Sequence, residues 1–366
     1  MEIVHDEASL TDYIQTRADF SKDRPLLIDK FLEGATEVDV DMISDGETTV
    51  VGGVMEHIEQ AGIHSGDSAC CLPPHLLERS VIDEIKRQTR AMAKELGVVG
   101  LMNVQFAVKN REIYVLEVNP RASRTIPFVA KAIGVPLAGL AAKVMAGKTL
   151  KELEFTREII PPYKSVKEVV LPFVRFRGVD IILGPEMKST GEVMGVDRDF
   201  GAAFAKAQEA ASSTLPQKGT VFISVKNSDK EAMVPIASRL SQLGFHLVGT
   251  EGTAQALKKA GIKVKALKKL SEGSPNVTDL IHTSKIDLVI NTPSGEKPRK
   301  DETVIRSLAV SKGVSCITTL EGATAALKGI EAMKHKGLGV TSLQTLHRKI
   351  QSSWSERPAK FSTISA

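Results

Sequence analysis

Within the stretch VQFAVKNREIYVLEVNPRASRT lie Gln105, Glu117, Asn119, Arg121 and Arg124, spaced as a site that handles phosphate would space them. Glu117 and Asn119 are two apart in a run with strand character, so their side chains share a face. Gln105 sits on the preceding run. Hard oxygen donors converging on one sheet face suit Mg2+ or Mn2+ bridging ATP phosphates. Arg121 and Arg124 follow at once and can clamp a phosphate or a carboxylate. Three oxygen ligands beside two guanidinium groups describe a phosphoryl-transfer site, where positioning and charge neutralisation do most of the catalysis. An isolated Glu-x-Asn is usually no more than a polar strand end; the glutamine and the two arginines favour the site.

Weaker signals lie upstream. LIDKFLEGATEVDVD offers a strand edge at Lys30-Phe31-Leu32 and then Glu37, which together suit an adenine slot with a carboxylate for the ribose hydroxyls. A strand carrying exposed acids explains the same residues equally well. The loop EQAGIHSGDSACC supplies His64 and Ser65 between glycines, and such a loop can approach phosphate or ribose closely. A lone loop histidine is more often simply solvated. Cys70 and Cys71 read as packing residues, with no basic neighbour in sequence to activate them.

These residues need a scaffold, and the hydrophobic pattern supplies one. Met1 to Val4 reads as a strand and Asp6 to Gln15 as a helix. PLLIDKF (25–31) and TEVDVDMIS (36–44) follow as strands, the second alternating apolar and acidic residues as a half-buried strand does. GETTVVGGVMEHI gives a turn and a strand, 60–75 a loop, and Leu76 to Leu96 a long amphipathic helix ending at Gly97. GLMNVQFAV and EIYVLEVN, separated by Lys109-Asn110-Arg111, form an antiparallel hairpin. Helices fill much of 127–154, and 213–219 is a linker. Beyond it, strands at TVFISV, FHLVGT, KVKAL, DLVIN and VSCITT alternate with helices, as in a doubly wound parallel sheet. The expected fold class is therefore α/β. Its divisions are 1–150, a connecting segment 151–215, a second domain 216–350, and a polar tail 351–366 expected to be disordered.

In the second domain three pieces gather at C-terminal strand ends, where open α/β sheets bind ligands. They are Lys230 after the helix-capping Asp229, the turn Thr250-Glu251-Gly252-Thr253, and Asn291-Thr292-Pro293-Ser294-Gly295; Lys268 and Lys269 add charge. Hydroxyls that merely cap helices, with solvated lysines, are the bland alternative.

Composition sets the limits. The 366 residues suit two or three domains, and the net charge of +4 is mild. No aromatic-studded basic stripe points to nucleic acid, and no apolar run reaches the roughly 18 residues of a membrane helix. Three cysteines without a CxxC pair argue against a disulfide framework and for a reducing compartment. The start is neither a signal nor a transit sequence, so the expected location is the cytoplasm, or an organelle stroma or matrix if a targeting segment lies outside this chain.

MEHIEQAGIHSGDSACCLP, GLMNVQFAV, EVNPRASRTIPFV, SVKEVVLPF and LGPEMKSTGEVMGVDRDF resemble the second, carbamate-phosphorylating half of the carbamoyl phosphate synthetase large subunit, in order and over 1–350. The resemblance implies an ATP-grasp C-terminal lobe at 1–150 and a methylglyoxal-synthase-like allosteric domain at 216–350. By it, Lys30, Leu32, Glu37, Gly62, Ile63, His64 and Ser65 match nucleotide-contacting positions, and Gln105, Glu117 and Asn119 match metal-binding positions. Gln105 and Glu117 thereby also join the ATP contacts, and Asn119 joins Arg121 and Arg124 at the phosphoryl-transfer centre. ATP with Mg2+ or Mn2+ is the implied cofactor set, and K+ is also admitted. Lys230, Thr250, Thr253, Lys269 and Asn291 match the positions that hold a UMP-like nucleotide effector, and Glu59, Asp67, Glu168 and Thr318 match ornithine contacts, with Cys316 nearby. The second domain is expected to bind rather than catalyse: its Asn-Thr-Pro-Ser-Gly turn offers no carboxylate, and Asp287 lies at the other end of its strand.

The implied reaction is glutamine-dependent synthesis of carbamoyl phosphate for arginine and pyrimidine biosynthesis. The implied partners are a glutaminase small subunit and the N-terminal part of the large subunit, which this chain lacks. Homo-oligomerisation stays open. Because the lobe that covers the nucleotide belongs to that part, the chain alone is expected to bind ATP weakly and to be inactive. A stand-alone nucleotide-sensing module with a relic ATP-grasp wall is the alternative from a different class. Another ATP-grasp carboxylate–amine ligase fits less well, given GPEMKSTGEVMG and the appended second domain.

Overall fold

The computed structural model of the chain describes residues 3–4, 6–17, 19–21, 23–175, 179–293 and 300–355. Helix α1 (Glu7–Thr16) opens it, with the Asp6 carboxylate accepting the Ser9 N–H at 2.7 Å as an N-cap. A seven-stranded sheet follows in the order β5-β4-β1-β2-β3-β6-β7, antiparallel at every pairing. Its strands are β1 (Thr36–Asp45), β2 (Thr49–Gln60), β3 (Cys70–Leu72), β4 (Val99–Lys109), β5 (Glu112–Asn119), β6 (Lys164–Val170) and β7 (Gly191–Asp197). The β4–β5 hairpin turns on Asn110 and Arg111, whose φ of 51° and 68° give the turn type that matches strand twist. Arg111 is held in that conformation by Glu78, with Nη2 2.6 Å from Oε1.

Period-two alternation feeds two cores. Val38, Val40, Met42, Met102, Val104 and Phe106 face α2 (Arg79–Glu95). Ile43, Met55, Cys70 and Leu101 face α3 (Ile126–Ile133) and α4 (Leu137–Met145). Gly97, at φ 58°, ends α2 where the sequence places its stop. No single helix among the described residues is long and apolar enough to cross a membrane.

The second sheet runs β10-β9-β8-β11-β12 and is parallel throughout. Its strands are β8 (Thr220–Ser224), β9 (His246–Thr250), β10 (Lys265–Leu267), β11 (Leu288–Asn291) and β12 (Ser315–Ile317). Val221, Ile223, Leu247 and Leu288 pack against α6 (Lys230–Gln242), α7 (Glu251–Lys259) and α10 (Leu320–Lys336). Phe222, Val248 and Val289 pack against α8 (Val277–His282) and α9 (Lys300–Ser311). Helices cover both faces, as a doubly wound sheet requires.

The two sheets are joined through α5 (Phe200–Ala210), which lies across β7 and packs on α10. A Cβ on Gly201 would sit 2.3 Å from the Lys328 carbonyl oxygen, so only glycine allows this approach. Gly201→Ala is expected to destabilise the chain by about 1–3 kcal/mol through overpacking, read as a lower urea midpoint. A variant unfolding with the parent would mean the helices are not that close.

Several expectations need correction. Ile3 and Val4 are not in a strand, and Met1 and Glu2 lie outside the described residues. Residues 25–31 form no strand and are exposed. β1 is buried on both faces, not half-buried, because helices cover each side. The 60–75 loop contains β3, and 151–215 contributes β6 and β7 to the first sheet. Of the tail, 351–355 are the end of helix α11 (Leu343–Ser355), and 356–366 lie outside the described residues.

Candidate active site and effector pockets

β4 and β5 place Gln105 opposite Glu117 and Asn103 opposite Asn119. Around that face a cleft of about 410 Å3 is lined by Glu37, Gly62 to Gly66, Gln105, Glu117, Asn119, Arg121, Arg124 and Pro185. Ten sequence-singled residues from separate segments therefore meet in one place: Glu37, Gly62, Ile63, His64, Ser65, Gln105, Glu117, Asn119, Arg121 and Arg124. Lys30 and Leu32 line an adjoining, more apolar cavity of about 420 Å3 that shares Glu37, Gly62 and Pro185 with the first.

The donor set is hard oxygen. The Gln105 amide nitrogen donates to Ser65 Oγ at 3.0 Å, which leaves its carbonyl for the cleft. Asn119 Nδ2 donates to Glu117 Oε1 at 2.7 Å, and Asn119 Oδ1 accepts from Arg121 Nη2 at 3.1 Å. No group of three or more His, Cys, Asp or Glu that could hold a metal exists among the described residues. One carboxylate with two amide oxygens fits a Mg2+-type ion that takes its remaining ligands from phosphate and water.

Arg121 and Arg124 are exposed at the cleft, Arg124 against the Met187 sulfur. The loop carrying them is fixed by Asp41, which sequence reading did not single out. Asp41 Oδ1 accepts from Asn103 Nδ2 (2.9 Å) and Ser123 Oγ (2.7 Å), and Oδ2 accepts from Thr125 Oγ1 (2.5 Å). Complete burial pushes its pKa up to about 6 despite those bonds. The alternating acids of TEVDVD were the available signal. Beside it, His57 Nε2 lies 3.0 Å from Asp39 Oδ2. Burial opposes charge on His57, but the bond to Asp39 and the charges of Asp39 and Glu37 leave its pKa raised.

Glu37, expected to meet ribose hydroxyls, is already partly committed. Oε1 accepts the Gly62 N–H at 3.1 Å and Oε2 lies 3.6 Å from His57 Nδ1; burial pushes its pKa up. His64 shapes its own loop: Nδ1 accepts the Gly66 N–H at 3.0 Å. Its N–H donates to the Gly184 carbonyl at 2.8 Å. Lys167, buried and not foreseen, donates to the Ser68 carbonyl at 2.8 Å and steadies the same loop.

Glu59, Asp67, Glu168 and Thr318 line one cavity of about 330 Å3, with Cys316. Burial pushes both glutamates up, and Glu59 adds to the rise at Glu168. Glu59 accepts the Ala69 N–H at 2.8 Å, and Glu168 accepts from Gln208 at 2.5 Å. Asp67 is spent on the chain itself, taking the N–H groups of Lys188 (2.7 Å) and Ser189 (2.9 Å). Cys70 and Cys71 are buried packing residues; burial raises both thiol pKa values, that of Cys71 to about 12.

At the C-terminal ends of the second sheet, Thr250 Oγ1 lies 3.3 Å from Thr253 Oγ1 and 3.2 Å from Ser224 Oγ. A Cβ on Gly252 would lie 3.1 Å from Lys230 Nζ, so that ammonium sits over the start of α7. Lys269 is exposed, 3.9 Å from Glu272. Asn291 is buried: its Nδ2 donates to the Ser224 carbonyl at 2.8 Å and its Oδ1 accepts from Arg306 Nη1 at 2.8 Å. Asp229 makes no side-chain cap, contrary to expectation, because a short 3-10 turn (Asn227–Asp229) leads into α6. Ser294 and Gly295 lie outside the described residues. Asp287 is at the far end of β11, accepting the Thr220 N–H at 2.7 Å.

The antiparallel sheet with its cleft has the form of one wall of an ATP-grasp site, and the parallel sheet is a second, doubly wound domain. Comparison bears this out: residues 1–153 match the carbamoyl-phosphate synthase L chain ATP-binding domain, and residues 232–318 match the MGS-like domain. Over nearly its whole length the chain is homologous to carbamoyl phosphate synthase large chains. The Rhodopirellula baltica protein is 55% identical over 348 residues, covering 94% of this chain and 32% of that one. Those of Archaeoglobus fulgidus and Pseudomonas syringae pv. tomato are 52% and 53% identical, each alignment covering 95% of this chain and 32% of the relative. The chain thus spans about a third of the length of the curated relatives it matches. Among solved structures, the biotin carboxylase domain of a single-chain bacterial carboxylase aligns at a TM-score of 0.42 and 18% identity, covering 50% of this chain and 48% of that one.

Proposed function

We propose that the chain forms part of a glutamine-dependent carbamoyl phosphate synthetase, contributing one wall of the site where ATP phosphorylates carbamate. A carbamate oxygen attacks the γ-phosphorus, the bond to the ADP oxygen breaks, and carbamoyl phosphate forms. The observation that carries this reading is the meeting of Glu37, the 62–65 loop, Gln105, Glu117, Asn119 and both arginines in one cleft. The apolar cavity at Lys30 and Leu32 takes the adenine, and Glu37 faces the ribose. Gln105, Glu117 and Asn119 would hold Mg2+ or Mn2+, which neutralises phosphate charge when bound. Arg121 and Arg124 steady the transferring phosphoryl group, with Asn119 orienting Arg121.

The second domain reads as the sensor of a UMP-like nucleotide through Lys230, Thr250 and Thr253, supported by hydroxyls and an ammonium gathered at the helix start. The cavity holding Glu59 and Glu168 suits a cationic amino acid such as ornithine, since two buried carboxylates call for positive charge. The partners in this reading are a glutaminase subunit and the remaining part of a large chain. A reducing compartment suits three free thiols.

The catalytic groups stand open to solvent, Glu117, Arg121 and Arg124 all being exposed. Efficient transfer needs a water-poor site. The test is carbamate-dependent ADP release with Mg2+, from the chain alone and after adding the N-terminal portion of a related large chain, with Asn119→Asp as control. Turnover only on complementation is expected, lost in the control. No turnover in either case, with UMP still raising the melting temperature, would leave a stand-alone regulatory module.

A further inference from the structure

Arg306, on α9, is completely buried, and among the described residues its bidentate partner comes from outside the second domain. Nε and Nη2 donate to the two Asp180 oxygens at 2.8 and 2.5 Å, while Nη1 donates to Asn291 Oδ1 at 2.8 Å. Thr303 Oγ1 adds a bond to Asp180 Oδ2 at 2.7 Å. A planar guanidinium fork fixes direction as well as charge, so Asp180 and Asn291 are set relative to each other by one rigid group.

The segment that begins at Asp180 ends in the ATP cleft. The Gly184 carbonyl accepts the His64 N–H at 2.8 Å, and Pro185 lines both nucleotide cavities. The Lys188 and Ser189 N–H groups bind Asp67, and Ser189 Oγ donates to the Gly66 carbonyl at 3.1 Å. At one end of the 180–189 segment Asp180 is bound by Arg306 and Thr303, and at the other Gly184, Lys188 and Ser189 bind His64, Gly66 and Asp67. The loop near Gln105 and Ser65 is therefore held from the ligand end of the second sheet.

We propose that Arg306 and Asp180 form the joint through which a phosphate-bearing ligand at the β8–β9–β11 strand ends alters the order of the 62–68 loop in the ATP cleft. Asn291 is the second-domain end of the joint: its amide holds the Ser224 carbonyl, and the Ser224 hydroxyl lies 3.2 Å from that of Thr250, so a ligand there shifts what Arg306 holds, and Asp180 moves with the guanidinium. Both are positioning residues, and neither touches the nucleotide. The inference rests on the effector reading of the second domain given above.

The test uses the full chain with UMP as probe and hydrogen exchange read on peptides covering 62–69 and 180–190. In the parent, UMP is expected to change exchange in both peptides. In Arg306→Lys, which keeps the charge but cannot form the fork, and in Asp180→Asn, both peptides are expected to exchange at least tenfold faster without ligand. UMP should then no longer affect them, although it still binds by thermal shift. Unchanged exchange in both variants would sink the joint, as would a UMP response that survives in them. If UMP does not bind the parent, the effector reading fails by itself, and the ligand-free exchange of the two variants decides the joint.

Discussion

Arg121→Ala is expected to slow carbamate-dependent ADP release by about 100- to 1,000-fold in the complemented assembly, as loss of one charge-stabilising donor does elsewhere. The guanidinium is placed by the chain around it: Nη1 donates to the Ala122 carbonyl at 3.1 Å and Nη2 to Asn119 Oδ1 at 3.1 Å. It needs little rearrangement to meet charge that develops on a transferring phosphoryl group. The loss should fall on kcat, with the KM for ATP changed far less, because the adenine and ribose contacts lie in the adjoining cavity. Arg121→Lys should recover only part of the rate, since an ammonium cannot hold the fork. A loss under threefold would place Arg121 outside the reacting centre.

Asp41→Ala is expected to cost about 3 kcal/mol of stability, because three buried or half-buried donors on Asn103, Ser123 and Thr125 lose their acceptor together. The loop 121–125 would lose its tie to the sheet, so activity should fall with stability. Asp41→Asn keeps the shape, and the two hydroxyls can turn to suit an amide, so its cost should stay within about 1 kcal/mol. The pair separates packing from charge. Asp41's pKa is raised in the folded state from 3.8 to about 6, so between those values the native state binds more protons than the unfolded chain. This carboxylate's contribution to stability therefore falls as pH rises from about 4 to about 6, by roughly 3 kcal/mol, and is constant outside that window. Urea unfolding at pH 4.5 and 7.5 should show that parent and Asp41→Asn differ in slope in that direction. Equal slopes would mean that Asp41 is not charged and buried as placed, and an alanine variant as stable as the parent would remove its role as anchor.

The sequence by itself determined what local pattern controls. The β4–β5 hairpin, with Glu117 and Asn119 on one face, follows from period-two alternation and a two-residue turn. Helix α2 ends at Gly97 because only a residue content at positive φ closes it there. The five parallel strands of the second domain were legible as short apolar runs between helices. What only the tertiary structure decided depends on partners distant in sequence. TEVDVDMIS alternates as a half-exposed strand would, yet Asp39 and Asp41 are buried. The reason is that helices cover both faces of β1, and bonds from 103, 123 and 125 make a buried Asp41 tolerable. The entry of β3, β6 and β7 into the first sheet, and the use of Pro185 and Lys167 at the cleft, arise from pairings that no local period encodes. Asn291 shows the same limit: its place at a strand end was readable, but its commitment to Arg306 depends on an aspartate 111 positions away in the chain, at residue 180.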